Sequence, residues 1–236
     1  MVRNKKIVIS AQRAALARTS TAYRTVSHGA LCVVMRSMPI HIKAKLQCEE
    51  YEARRRHEEE VQGERHDLVE DKKRLQQDAE DRWRIEWSFH NPDDWTRRLI
   101  RGPLIFVRRR RRINHYMMQI LTGHGIFNQY RFRIGKENHT SCWDCGDDPD
   151  DAEHVLFKCP RWMEERTLLE IDLGIEWSMD TDIVARMAED DRSWQKFTEF
   201  CTQAMIARQR KEKEIETRYG RSRGERRRRR AAAGAR

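Results

Sequence analysis

Cys142-Trp143-Asp144-Cys145, followed by His154 and Cys159, sets the expected architecture of this chain. The pattern is C-x2-C-x8-H-x4-C: three thiolates and one imidazole within eighteen residues, enough to complete a tetrahedral zinc shell. A C-x2-C turn brings two thiolates to one ion from a single loop. A His and a Cys five residues apart come from a short helical turn or the loop beside it. Four protein ligands leave no position for water, so the pattern predicts a structural Zn2+ rather than a catalytic one. The intervening Gly146, Asp147, Asp148, Pro149, Asp150 and Asp151 are polar turn formers, suited to a metal-held loop and not expected in a core. The alternatives are a chance register of four Cys/His residues or a disulfide framework. The second is disfavoured because Cys32, Cys48 and Cys201 are scattered and no signal-peptide pattern opens the sequence.

With 236 residues, 36% of them charged, a hydrophobic share of 38% and a mean hydropathy of −0.93, the chain has room for one or two domains and a modest core. No apolar run approaches the roughly 20 residues that span a bilayer, so a soluble protein of a reducing compartment, with no membrane partner, is expected. The net charge of +10 conceals blocks. Residues 1–48 and 101–136 each carry nine basic residues and no acid, while residues 137–200 carry six basic against eighteen acidic. Residues 201–236 carry thirteen basic against four acidic. Basic blocks of this kind attract a polyphosphate backbone, because each neutralised phosphate releases condensed counterions. The plainer alternative is a solvated surface or, for the arginine run at 226–230, a nuclear address in a disordered tail.

Periodicity predicts mainly helix. Ala22, Val26, Ala30 and Val34 repeat every four residues, giving a helix over 10–37 that Pro39 stops. Another starts near Ile40 and runs into the charged stretch 49–84. There Val61, Leu68 and Leu75 form half a seam, with Arg65 and Lys72 where its other half belongs, so a long solvent-exposed helix is expected. Trp83, Trp87 and Trp95 follow, interleaved with arginines and turned at Asn91-Pro92-Asp93. Tyr116, Ile120 and Leu121 share a helical face that Gly123 and Gly125 break. After the Cys/His cluster, Pro160 suits a first helical turn and Gly174 a C-terminal cap. Asp180 or Thr181 is expected to cap a short helix, and Ser193 a longer one with Phe197, Phe200, Cys201, Ala204 and Met205 inward. The resulting fold class is mainly α: helical segments around a small CCHC zinc knuckle, with a disordered basic tail. The expected divisions are a basic helical segment at 1–48, a charged helix or linker at 49–82 and a Trp/Arg-rich segment at 83–136. The knuckle follows at 137–162, then C-terminal helices at 163–216 and the tail at 217–236.

Three segments carry a resemblance to a known family. They are Ala22-Tyr23-Arg24-Thr25-Val26-Ser27 with Met38-Pro39-Ile40; Gln119-Ile120-Leu121-Thr122-Gly123-His124-Gly125-Ile126-Phe127 with Tyr130 and Arg131; and the Cys/His pattern with Ala152-Glu153-His154 and Pro160-Arg161-Trp162 around it. In this order they resemble the region downstream of the polymerase domain in non-LTR (LINE-type) retrotransposon reverse transcriptases, especially the insect Jockey-like and rDNA-inserting kinds, over residues 12–210. The first resembles the helix after the polymerase thumb, the second the "tQ-ltGHG-f-Y" signature, the third the C-terminal knuckle. The family's polymerase motif, F/Y-x-D-D, holds Mg2+ on paired aspartates. Here Asp-Asp occurs at 93–94, 147–148, 150–151 and 190–191 without that setting, and nothing matches the family's endonuclease. A C-terminal remnant that is not itself an enzyme is therefore expected, its full-length parent being an RNA-directed DNA polymerase.

The resemblance implies nuclear action and RNA or DNA binding during target-primed reverse transcription. Zinc would be held by Cys142, Cys145, His154 and Cys159, with Trp143 free to stack on a base. Arg108, Arg109, Arg110, Arg111, Arg112, His124, Arg131, Arg133, Lys136 and Arg161 are the candidate contacts to nucleic acid. Two rivals stand beside this. One is an interaction module whose acidic knuckle docks on basic blocks of the same chain or a partner; the other is a decayed remnant with no selected activity.

Overall fold

Tryptophans and single capping side chains do much of the organising in a chain so rich in charge. The computed structural model describes residues 2–59, 68–91, 94–109 and 111–233, with side chains described over 4–58, 68–91, 94–109 and 111–218. Val61, Arg65, Pro92, Asp93, Arg110 and the side chains of the 226–230 run lie outside the described residues. Among the described residues the secondary structure is helical, with no strand.

The helix expected over 10–37 is two helices: α1 (Val2–Thr19) and α2 (His28–Val34). Thr21, at φ +58°, turns the chain, and Ser27 caps α2 by accepting from the Ala30 amide at 3.2 Å. The loop survives because α1 satisfies its polar groups. The Arg13 guanidinium donates to the Val26 carbonyl at 2.9 Å. The Gln12 amide donates to the Met38 carbonyl and accepts from the Ile40 amide and His28.

The single exposed helix expected over 49–84 is also two, α3 (Ile40–Glu59) and α4 (Leu68–Ser88), packed antiparallel. Arg82 forks onto Glu49 at 2.9 and 3.0 Å, and His41 meets Glu86 at 2.6 Å. Ala53 and Ala79 are buried, letting the backbones approach, and Trp83 and Trp87 carry α4 into the core. Charge misled the reading because each helix buries only a narrow stripe of Ile42, Leu46 and Ala53 or of Ala79, Trp83 and Trp87.

Three short helices follow: α5 (Trp95–Leu99), capped by Asp94, then α6 (Ile105–Arg108) and α7 (His115–Thr122), capped by Asn114. Gly123 ends α7 in the left-handed region at φ +67°. After α8 (Asn128–Arg133) and the Cys/His segment come α9 (Met163–Leu173), α10 (Ile183–Ala188) and α11 (Asp191–Ala233). Gly174 ends α9 at φ +60°, as expected. Asp182, rather than Asp180 or Thr181, caps α10, and Asp190, rather than Ser193, caps α11 by accepting from the Ser193 amide. A carboxylate one turn ahead of the first free amides outcompetes the hydroxyl inside the turn. α11 carries the backbone on through Ala233.

One buried cluster joins Cys32, Trp83, Ile120, Cys142, Leu156 and Phe197, so residues from most of the expected divisions share a core. Indole N–H groups lock it at the seams: Trp87 to the Ile100 carbonyl, Trp95 to Ile120, Trp177 to Leu156 and Trp194 to Arg112, all at 2.6–2.9 Å. The expected inward face of α11 (Phe197, Phe200, Cys201, Ala204, Met205) is buried, and Arg208 continues it at 1% exposure. Its guanidinium pairs with Asp150, at 0% exposure, and donates to the Ile126 carbonyl. Removing one partner of a buried pair strands the other charge. Arg208→Met is therefore expected to cost about 3–5 kcal/mol in chemical denaturation. Adding Asp150→Asn should recover part of that loss, because the neutral amide still accepts from the Asn128 amide that Asp150 caps.

Candidate metal centre

Cys142 and Cys145 sit on a tight turn closed from both sides: the Cys142 amide donates to Asp147 at 2.8 Å and the Gly146 amide to Cys142 at 3.0 Å. Gly146 takes φ +86°, a value open to glycine at little cost. The other two ligand candidates open and follow the π-helical turn His154–Lys158, whose first amide is capped by Asp151 at 2.7 Å. The Cys159 amide donates to the His154 carbonyl at 2.6 Å, an i to i+5 closure that puts residues five apart on one side. The x4 spacing thus matches the wider turn.

The four ligand atoms lie within 4.8 Å of one another. Cys142 and Cys159 Sγ are 4.0 Å apart, Cys145 and Cys159 Sγ 3.9 Å, and Cys145 Sγ lies 3.3 Å from His154 Nε2. Sulfurs about 2.3 Å from a tetrahedral ion stand roughly 3.8 Å apart, so the cage has the size of a metal shell. The Cys142 thiol is held well below its ordinary range, first by the hydrogen bond it shares with Cys159 and then by main-chain amides and Arg208; Cys159 is pushed up by the same sharing. These side chains can hold one metal ion. The other cysteines stand apart, Cys32 and Cys201 buried and Cys48 exposed.

The loop ahead of the cage explains its own sequence. Gln119 turns back to accept from the Ile126 amide at 3.1 Å, closing the turn across Gly123, His124 and Gly125. A Cβ on Gly125 would lie 2.3 Å from Gln119 Oε1, and one on Gly123 3.0 Å from the Trp95 ring. His124 is half-buried, with Nδ1 2.6 Å from the Thr122 carbonyl and Nε2 3.1 Å from Arg133. Burial foremost, with Arg133 and Arg13 nearby, lowers its pKa and favours the neutral ring.

Comparison with known proteins gives the context. The chain is 28% identical, over 68% of its length, to a retrovirus-related Pol polyprotein from type-1 retrotransposable element R1 4 of Nasonia vitripennis. It is 36% identical over 62 residues to the corresponding polyprotein of element R1 2 of the same wasp. Over 84% of its length it is 27% identical to a 115 kDa protein in type-1 retrotransposable element R1DM of Drosophila melanogaster. This chain is related to the Pol proteins of insect R1 retrotransposable elements. The resemblance to the C-terminal region of non-LTR retrotransposon proteins holds accordingly. The chain spans less than half the length of each of these relatives, with 43%, 15% and 20% of them matched. No family model matches the sequence, and no solved structure matches the fold.

In this R1-related chain the candidate nucleic-acid contacts separate. Arg109, Arg112, Arg133 and Lys136 are exposed. Arg108 is exposed and 3.5 Å from Glu80; Arg161 is exposed, over the Trp162 ring and 3.5 Å from Glu165. Arg111 turns inward to the Ala188 carbonyl and Asp191. Arg131 is buried, paired with Glu212, and lies 5.4 Å over the half-buried Trp143, whose ring also faces Arg208 at 5.8 Å. The knuckle and α11 therefore dock on each other, and Lys211 adds a contact to Asp144 at 2.6 Å. Asp150, read from sequence as a solvated turn residue, is buried because Arg208 meets it. A lone arginine one turn beyond Met205 on an apolar face was the available signal for that pairing.

Two outcomes are expected. Elemental analysis should find one metal ion per chain, lost in Cys159→Ala and kept in Cys48→Ala; full metal content in the first variant would contradict the ligand set. Gly125→Ala should lower stability by about 1–3 kcal/mol in a urea melt, since Gln119 must yield to the new methyl and release the Ile126 amide.

Proposed function

We propose that this chain is a nucleic-acid-binding region of an R1-type Pol protein, acting in target-primed reverse transcription in the nucleus rather than in polymerisation itself. The observation that supports it best is the convergence of Cys142, Cys145, His154 and Cys159 on one cage in a chain related to Pol polyproteins. The donor set suits Zn2+, which when bound supplies a closed structural shell and no reacting position. The chain's own residues do the binding. Arg109, Arg112, Arg133 and Lys136 meet phosphates, while the metal-held loop fixes the surface behind them. Asp94 and Asp190, one from each of their pairs, and both residues of the 150–151 pair already serve as caps or ion-pair partners, which favours binding over metal-ion catalysis.

A second reading, docking of the acidic loop on a basic helix, is favoured by the contacts of Asp144 and Asp150 with α11. Those contacts lie within the chain and leave the exposed cations available.

Single-stranded RNA should bind with an affinity that falls steeply with salt. Arg109→Gln with Arg112→Gln should weaken binding and lower the log–log salt slope by about 1.4, roughly 0.7 for each lost contact. Arg111→Gln should act mainly on stability, through Asp191 and Ala188. Filter binding across a salt series, with a melt of each variant, separates the two. A chain with no salt-dependent RNA or DNA binding would overturn the proposal.

A further inference from the structure

Between the start of α5, the Gly123-His124 turn, α8 and the metal loop lies a cleft of about 390 Å3. That is within the range of pockets that hold small ligands, roughly 300–1,000 Å3. One wall is Trp95, half-buried, its N–H fixed on the Ile120 carbonyl at 2.6 Å and its ring held edge-on by Phe157. Gly123 packs so closely on this ring that any larger residue would push it away.

The chemistry of the walls narrows the occupant. Asp94 and Asp151 line the cleft, so a free anion inside it would be repelled. Both carboxylates are already engaged, Asp94 with the Thr96 amide and Asp151 with the His154 amide. His124 lines it as a neutral ring with Nδ1 tied to Thr122, and Gln129, exposed, offers an amide with both donor and acceptor. The cations are exposed: Arg98, 5.9 Å from the Trp95 ring centroid and paired with Glu153 at the surface, and Arg133, which touches the neutral His124 ring. A neutral, planar, polar-edged group attached to an anionic chain meets all three conditions.

We propose that this cleft takes one unpaired nucleobase of a single-stranded nucleic acid, seated against Trp95, with its flanking phosphates on Arg98 and Arg133. The inference rests on the nucleic-acid reading above and places the stacking aromatic at Trp95, whose neighbouring Arg98 is exposed and can give way to a base, rather than at Trp143, held between the buried Arg131 and Arg208. A base inside a duplex cannot enter, because its faces and edge are already occupied. The metal loop contributes a wall through Asp151 and Ala152, so the cage holds one side of the cleft in place.

The test uses the full chain with short RNA and DNA oligonucleotides carrying 5-iodouridine or 5-iododeoxyuridine. Irradiation joins the iodinated base to an aromatic ring in contact with it, and mass spectrometry locates the residue. A crosslink at Trp95 with either oligonucleotide, competed by unlabelled single strand and not by duplex, is the expected result. Gln129→Ala should weaken binding by roughly two- to tenfold, the worth of one hydrogen bond, without changing the salt slope. Arg133→Gln should weaken it and lower the slope by about 0.7. Salt-dependent binding with crosslinks only elsewhere, and with both variants equal to the parent, would overturn the cleft and leave the broader function standing. Equal competition by duplex would overturn the cleft as well. A chain that binds neither oligonucleotide would overturn both.

Discussion

The buried pair of Arg208 and Asp150 ties the longest helix to the metal loop, and the arrangement around it depends on that tie. Burying two charges costs several kcal/mol each, offset here only in part, since Asp150 Oδ1 and Arg208 Nη1 meet no hydrogen-bond partner among the described residues while their other polar atoms are engaged. Asp150 accepts from the Asn128 amide at the start of α8, its own amide donates to Thr140, and its carbonyl accepts from Gln129. Arg208 reaches the Ile126 carbonyl as well. One ion pair therefore sets the position of the signature loop, the start of α8 and the Cys/His loop relative to α11.

A consequence is that the knuckle is part of the core rather than a finger projecting from it. Cys142, Ala152, Val155, Leu156 and Cys159 are buried in the same cluster as Phe197 and Met205. Arg166 reaches into this region to donate to the Cys159 carbonyl at 2.8 Å. A metal ion in the cage would thus brace the wall of the Trp95 cleft as well as its own loop. Docking by α11 also decides which aromatic is available. Trp143 is held between the buried Arg131 and Arg208, whereas Trp95 lines the cleft with the exposed Arg98 beside its ring.

Short helices of four to eight residues are not stable by themselves, since nucleation is costly and few bonds repay it. Here Asp94, Asn114 and Asp182 cap α5, α7 and α10, Asp150 takes the first amide of α8, and the uncapped α6 is held by Phe106 against Trp194. The aromatic chain of Phe106, Trp194, Phe197, Trp177 and Phe200, with centroids 5.6–6.0 Å apart, carries much of the apolar burial that a strongly charged composition otherwise limits.

Local chemistry was enough to mark out the four Cys/His residues that the fold gathers into one cage, the mainly helical class, the inward face of α11 and the stops at Gly123 and Gly174. Each depends on spacing or on a residue's own conformational range, which neighbours in sequence control. The fold decided what depends on distant partners. Ser27 caps a new helix because Gln12 and Arg13 satisfy the loop before it. The charged stretch folds as a pair because Ala53 and Ala79 allow close approach. Among the arginines, type and run length say nothing of direction. Arg131 and Arg208 turn inward because Glu212 and Asp150 wait there, and Arg111 because the Ala188 carbonyl does, while Arg109, Arg112 and Arg133 remain in solvent. Which charge meets a carboxylate and which stays in solvent is settled only when elements far apart in the chain are brought together, because an ion pair belongs to two residues and the sequence shows them one at a time.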